Sequence, residues 1–241
     1  MSTEAQEDRR LQAGEHGPMT ASTLARLLTW LSPAFPTGGF AYSHGLEWAI
    51  EAGDITDRAS LVDWIADLLA AGSLWSDAIL LRHAWRAAPD PAALAELALF
   101  AAACAGSAER LQEILVQGAA FRRAVSVWHA PPAPPLLEDG EPCWPLPVAI
   151  GAALRMEGMD QETACAAALT AAAGALVSAA VRLVPLGQTD GLRAIAALEP
   201  AVARAARETS GASLDDVGGC CLRADIAALR HETQGTRLFR S

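Results

Sequence analysis

The sequence predicts an all-α protein: a single-domain bundle of about eight to ten helices with a Pro-rich central loop. Three observations carry this. Apolar residues recur at i, i+3, i+4 and i+7 through most of the chain. The alternating β-branched runs that make strands do not occur. Of the 241 residues, 52% are hydrophobic, enough for a chain of this length to bury one large core.

The elements follow in order. Residues 1–20, MSTEAQEDRRLQAGEHGPMT, are polar and mixed in charge. They lack the apolar stretch of a secretory signal and read as a disordered leader. A short apolar segment then runs into SPAFPTGGFAYSHG, residues 32–45, whose prolines fix an entry and whose glycines permit a tight turn. Leu46, Trp48, Ala49 and Ile50 belong to a helix after that elbow. Leu61, Trp64, Ile65, Leu68 and Leu69 share one helical face, and Leu74, Ala78, Leu81 and Trp85 form another. Asp90-Pro91 reads as an N-cap followed by proline at the first helical position, opening a helix to about Ala105. Ser107 caps a longer helix expected to reach His129. Six prolines in residues 130–145 exclude regular helix there. Pro147 opens the next helix and Asp160 caps a long alanine-rich one. Gly187 to Gly191 is expected to break it. Leu192, Ile195, Leu198 and Val202 form one more stripe. A short segment from Leu222 to Leu229 precedes the ending RHETQGTRLFRS.

Charge and cysteine content narrow the function classes. Net charge is −10, and all 18 basic residues are arginine. Nucleic-acid binding rests on phosphate neutralisation, so an acidic chain with scattered arginines is a poor binder. The cysteines Cys104, Cys143, Cys165, Cys220 and Cys221 are odd in number with no C-x-x-C spacing. They read as cytosolic thiols, mostly core filler. Residues 163–181 carry no charge and are long enough to span a bilayer. They are mostly alanine with Thr163, Thr170, Gly174 and Ser178 mixed in, so we read a buried helix of a soluble bundle and no membrane span.

Chemistry-bearing patterns are scarce. Gly38-Gly39 cannot be a phosphate loop: a Walker A loop needs a lysine, and a dinucleotide fingerprint needs G-x-G-x-x-G after a strand. His16, His44, His83, His129 and His231 are scattered, and no H-E-x-x-H occurs. His44 and Glu47, one helical turn apart, read as a polar surface pair or a capping contact. Ser43 and His44 are adjacent and point apart in a helix, so no nucleophile–base pair is evident. What remains for residues 32–45 is shape. Phe40 and Tyr42, the one tyrosine of the chain, project from the elbow as core or interface anchors. The tail places Arg230, Arg237 and Arg240 around Leu238 and Phe239, residue types enriched at binding hot spots.

Three segments together resemble the urease accessory protein F (UreF) family: LLTWLSPAFPTGGFAYSHGLEWAIEAGDI, then RLVPLGQTDGLRAIAALEP at 182–200, then ADIAALRHETQGTRLFRS at the end. They occur in family order and span nearly the whole chain after residue 20. Gly235-Thr236 stands where the family often has Tyr-Ser. The resemblance implies an all-helical domain over 21–241 with a partner-binding tail at 230–241. It implies a non-enzymatic chaperone that dimerises and binds the accessory protein UreD (also called UreH) and, through it, the GTPase UreG. That assembly delivers nickel to the urease apoenzyme on GTP hydrolysis, with nickel and GTP handled by the partners. Carried over by motif, Phe40 is an aromatic for partner binding and Arg237 a tail arginine that becomes ordered when the D partner binds. Tyr42, Leu238 and Phe239 complete the expected partner-binding set. Two rival readings stay open: a direct nickel carrier using His44, His231 or Cys220 and Cys221, and an all-α enzyme with a deep polar pocket.

Overall fold

The computed structural model describes residues 19–241, apart from Pro131 and Pro185. The first eighteen residues of the expected leader lie outside the described residues. Among the described residues there are ten α-helices and no β-strand. They are α1 (Ala21–Trp30), α2 (Leu46–Glu51), α3 (Arg58–Ala71), α4 (Ser73–Ala87), α5 (Pro91–Ala103), α6 (Ala108–Val125), α7 (Leu146–Met156), α8 (Gln161–Leu183), α9 (Gln188–Glu208) and α10 (Leu222–His231).

Local chemistry explains most helix starts. Helix N-termini leave backbone N–H groups without partners, and short polar side chains take them up. Asp90 Oδ1 accepts from Ala92 and Ala93 ahead of α5. Ser107 Oγ accepts from Arg110 at the start of α6, and Asp160 Oδ1 accepts from Thr163 at the start of α8. Asp57 and Ser60 form a reciprocal capping box for α3.

Boundaries differ from expectation in two places. The break after α8 falls at residues 184–187, and Gly191 lies inside α9, where its missing side chain admits Val181. The buried stripe of α9 is accordingly Gly191, Ala194, Leu198 and Val202, while Leu192 is 69% exposed. Helix α6 ends at Val125, one turn before His129. His129 instead joins Arg26 of α1 on the buried Glu157 carboxylate, with Arg26 Nη1 2.6 Å from Oε2.

Two apolar clusters share α4. Leu74, Ala78 and Leu81 face a cluster made with α2, α3, α8, α9 and α10. Leu80 and Ala84 face a second made with α1, α5, α6 and α7. Helix α8 is long and apolar enough to cross a membrane. Here Cys165, Leu169, Ala173, Leu176, Val177 and Ala180 pack it into the first cluster. Cys143 and Cys165 are buried as core filler, whereas Cys104 and Cys220 are exposed. At the centre Arg82 of α4 is 2% exposed. Its guanidinium donates to Glu162 at 2.6 Å, to Gln161 and Thr209 at 3.2 Å, and to the Ala206 carbonyl. That arginine ties the start of α8 and the end of α9 to α4.

Two glycines set how closely the helices of the second cluster approach. A Cβ on Gly118 of α6 would run into the Trp144 carbonyl oxygen, and one on Gly151 of α7 into the Leu81 carbonyl oxygen of α4. By contrast, Gly174 in α8 has open space around it. Gly118→Ala should therefore lower stability by about 3 kcal/mol through overpacking. Gly174→Ala should raise it by about 1 kcal/mol through helix propensity. Urea unfolding of the two variants checks both signs.

Candidate functional site

The site is built where the elbow of residues 32–45 meets the C-terminal tail. Gly38 (φ 76°) starts a short 3-10 turn over Gly39–Ala41. Gly45 (φ 76°) precedes α2 and lies against the backbone of Ala227 and Ala228 in α10, too close for any side chain. These glycines supply the left-handed backbone that a Cβ would penalise. His44 between them also has positive φ, 54°.

The tail pairs with the elbow by main-chain bonds. Arg240 N–H donates to the Ala41 carbonyl at 2.8 Å, and Ser43 N–H donates to the Ser241 carbonyl at 2.7 Å. The Ser43 hydroxyl donates to that same carbonyl. Glu47 of α2 then accepts two consecutive tail amides, Leu238 N–H at 2.7 Å on Oε1 and Phe239 N–H at 2.8 Å on Oε2. A carboxylate taken from water is costly unless such donors replace the lost hydration.

A row of charged groups supports this. His231, the last residue of α10 and fully buried, sits between two carboxylates: Nδ1 is 2.6 Å from Glu109 and Nε2 is 3.4 Å from Glu47. Arg237 donates to the other oxygen of Glu109. One turn on along α6, Glu113 is buried among His44 Nε2 at 2.7 Å, Gln117 Nε2 at 2.9 Å and the Ser241 hydroxyl at 3.0 Å. Arg110 bridges Asp77 of α4 at 2.5 Å and Glu113 at 3.4 Å. Burial alone would raise the Glu113 carboxyl, but the charges of His44 and Arg110 and the hydrogen bonds outweigh it and hold it at about 2. Beside this row lies a cavity of about 410 Å3.

The structure thus corrects the reading of His44 and Glu47 as a surface pair. They separate, His44 to Glu113 and Glu47 to the tail and His231, because the turn at Gly45 reorients the chain between them. The expected partner-binding residues divide as well. Phe40 is 74% exposed and Leu238 67% exposed, whereas Tyr42 (7%) and Phe239 (4%) point inward. Arg182 of α8 joins the two segments: it donates to the Phe40 carbonyl at 2.9 Å and lies 4.4 Å over the Phe239 ring. Arg237 turns to α6. The tail is docked, and Arg230 and His231 are its helical start. Glu109, Glu113, Arg110 and Arg182 were missed in the sequence, and Glu47 was noted there only beside His44. Only the Glu109–Glu113 spacing on one helical face hinted at two of them. Among the described residues, no group of three or more His, Cys, Asp or Glu is arranged to hold a metal ion.

Fold and site together define an all-helical protein whose most distinctive surface is assembled from an N-terminal elbow and its own C-terminal tail. Comparison with known proteins says which. The UreF family model matches residues 55–199. A urease accessory protein UreF from Cereibacter sphaeroides (strain KD131) is 51% identical over 221 residues, covering 92% of this chain and 100% of the relative. One from Agrobacterium fabrum is 48% identical over 91% of this chain and 97% of its own length. One from Rhizobium leguminosarum bv. viciae is 47% identical over 97% and 99%. The chain belongs to the UreF family of urease accessory proteins.

Two outcomes test the site. The folded Glu113 value lies below its unfolded one, so its stabilisation is complete above about pH 4.5 and is lost as pH falls toward 2. A shift of that size corresponds to roughly 3 kcal/mol. Denaturant titrations across that window should show the wild type losing about this much more than Glu113→Gln. Parallel pH profiles would contradict the ion network. Separately, Glu47→Ala removes the acceptor of two tail amides, each bond worth about 1 kcal/mol. Hydrogen exchange at Leu238 and Phe239 should accelerate roughly 30-fold, with α3 and α8 unaffected.

Proposed function

We propose that this protein is a non-enzymatic scaffold of urease maturation that, with UreD/UreH and the GTPase UreG, promotes GTP-dependent nickel insertion into the urease apoenzyme. The observation that carries the reading is the docked tail. It costs ordering entropy to hold twelve C-terminal residues on the body of the protein, and the product leaves Phe40 and Leu238 exposed while Tyr42 and Phe239 are buried. Exposed aromatic and aliphatic anchors on a rigid support suit protein recognition. Family membership supplies the partner class. In this reading the D-type partner binds the elbow and tail, stabilising the docked conformation. Arg237 acts by clamping the tail to Glu109 and Phe40 and Leu238 by direct contact. Nickel and GTP are handled by the partner proteins, with no tightly bound cofactor here. The protein works in the cytoplasm as a homodimer, away from membrane and nucleic acid.

The test is co-expression with the D-type partner. The full-length chain should bring the partner down, and a chain truncated after Gln234 should not. Arg237→Ala should abolish co-purification while circular dichroism shows unchanged helix content. Retention of the partner by both variants would remove the tail from that contact. Equilibrium dialysis against nickel should show no tight binding by the isolated chain; stoichiometric retention would favour a direct nickel carrier instead.

A further inference from the structure

Helix α10 carries side chains of the core on one side and an apolar stripe on the other. Ala224, Ala227 and His231 are buried against the body of the protein. At 3.6 residues per turn, Leu222, Ile226 and Leu229 fall on the side turned away from them. All three are exposed, at 66%, 41% and 50%. Single exposed apolar residues need no explanation, but several together on one surface mark an interaction site. Here three share one stripe along a ten-residue helix.

Spacing and flanking charges say what covers the stripe. Leu222, Ile226 and Leu229 are separated by four and then three positions. That is the d, a, d pattern of a coiled-coil seam, and Thr233 takes the next a position. Ile at a with Leu at d is the combination that favours two parallel strands. Arg223 and Arg230 then occupy e positions on one flank, and Asp225 and Glu232 occupy g positions on the other. Two of these four are used within the chain: Arg223 pairs with Asp54, and Glu232 accepts the Ala108 amide at 2.8 Å. Asp225 and Arg230 are exposed and enter no ion pair among the described residues. In a parallel pair, a g residue of one helix meets the e residue of the following heptad in the other. Counted from Asp225, that e residue is Arg230. An antiparallel pair would set e against e and g against g, arginine on arginine and carboxylate on carboxylate, so charge decides the direction. A two-fold axis supplies the contact twice, because each residue pair in an isologous interface recurs with the copies exchanged. A different protein would have to match both flanks in this one register to do the same.

We propose that α10 pairs in parallel with α10 of a second copy of this chain, along the seam of Leu222, Ile226 and Leu229, with Asp225 of each copy facing Arg230 of the other. This gives a location to the homodimer of the function proposed above and rests on that reading only for there being a homodimer. At 1.5 Å per residue the helix is about 15 Å long, too short to make a stable interface by itself, so the pairing is concentration dependent.

Sedimentation velocity of the full chain over a range of concentrations tests this. The wild type should move from monomer toward dimer as concentration rises. Asp225→Arg sets arginine against Arg230, and Arg230→Asp sets aspartate against Asp225. Each variant alone should raise the dissociation constant roughly tenfold. An equimolar mixture of the two should associate as the wild type does, because the mixed dimer has opposite charges at both contacts. Recovery on mixing also shows that neither variant is misfolded. Ile226→Ser, a change at an exposed position, should weaken association too, while circular dichroism shows unchanged helix content. Wild-type association in all three variants would overturn the seam. Weakened single variants with no recovery on mixing would overturn the parallel register. If the variants lose the D-type partner in co-expression but still self-associate, the second copy is overturned as occupant and the face goes to that partner. A wild type that stays monomeric at every concentration would overturn the proposal together with the homodimer, and the co-expression test above still decides the rest of the proposed function.

Discussion

One buried carboxylate holds the distinctive part of this molecule together. Glu47 is 8% exposed and accepts the amides of Leu238 and Phe239 while facing His231. Without the tail it would be a desolvated charge short of donors. Without Glu47 the two tail amides would be donors without an acceptor at the edge of the core. Each is costly alone, so the position of α2, the end of α10 and the tail are coupled into a unit that forms or opens together. Strong hydrogen bonds to a charged acceptor make that unit directional as well as stable.

Around this carboxylate the rest of the surface is arranged in layers. The main-chain bonds of Ala41 and Ser43 lay the last residues along the elbow. Arg182 then spans the seam, its donor on the Phe40 carbonyl and its face on the Phe239 ring. Since α8 is the long helix packed through the first core cluster, the seam is anchored to a rigid element. The exposure of Phe40 and Leu238 follows from this geometry: their neighbours Tyr42 and Phe239 fill the inside positions, and the outside positions are what remain. The same logic places Arg82, which ties the start of α8 and the end of α9 to α4. Arg82 is buried among several acceptors and gives its part of an alanine-rich bundle a fixed position that small apolar side chains, by themselves, would leave underdetermined; Arg182 is exposed and works as a surface clasp.

Much of the fold was legible in the sequence because its signals are local. Asp90-Pro91, Ser107 and Asp160 are caps read within four residues, and the stripes of Leu61 to Leu69 and of Leu74 to Leu81 are read within three turns. The misreadings have local causes too. Gly191 looks like a break, yet it is a packing position opposite Val181. Leu192 looks like part of a stripe, but the phase of α9 is set by its contact with α3 and α8, which no window of that helix contains. The site was less legible. Glu47, Glu109 and Glu113 are ordinary helical glutamates in sequence. Their roles come largely from distant partners: Arg237 lies 128 residues from Glu109, and Phe239 lies 192 residues from Glu47.

The sequence by itself determined the fold class, the order of the helices, the absence of a phosphate loop and, through three spaced motifs, the family. Those properties are carried by residue type and short spacing, which survive without knowledge of what folds against what. The tertiary structure alone decided that His44 and Glu47 part company at Gly45, that Tyr42 and Phe239 face inward while Phe40 and Leu238 face out, and that a carboxylate-lined cavity opens beside Ser241. Each of those depends on where a buried charge finds its counter-charge, and the energy of that choice lies in contacts between segments that are distant in the chain.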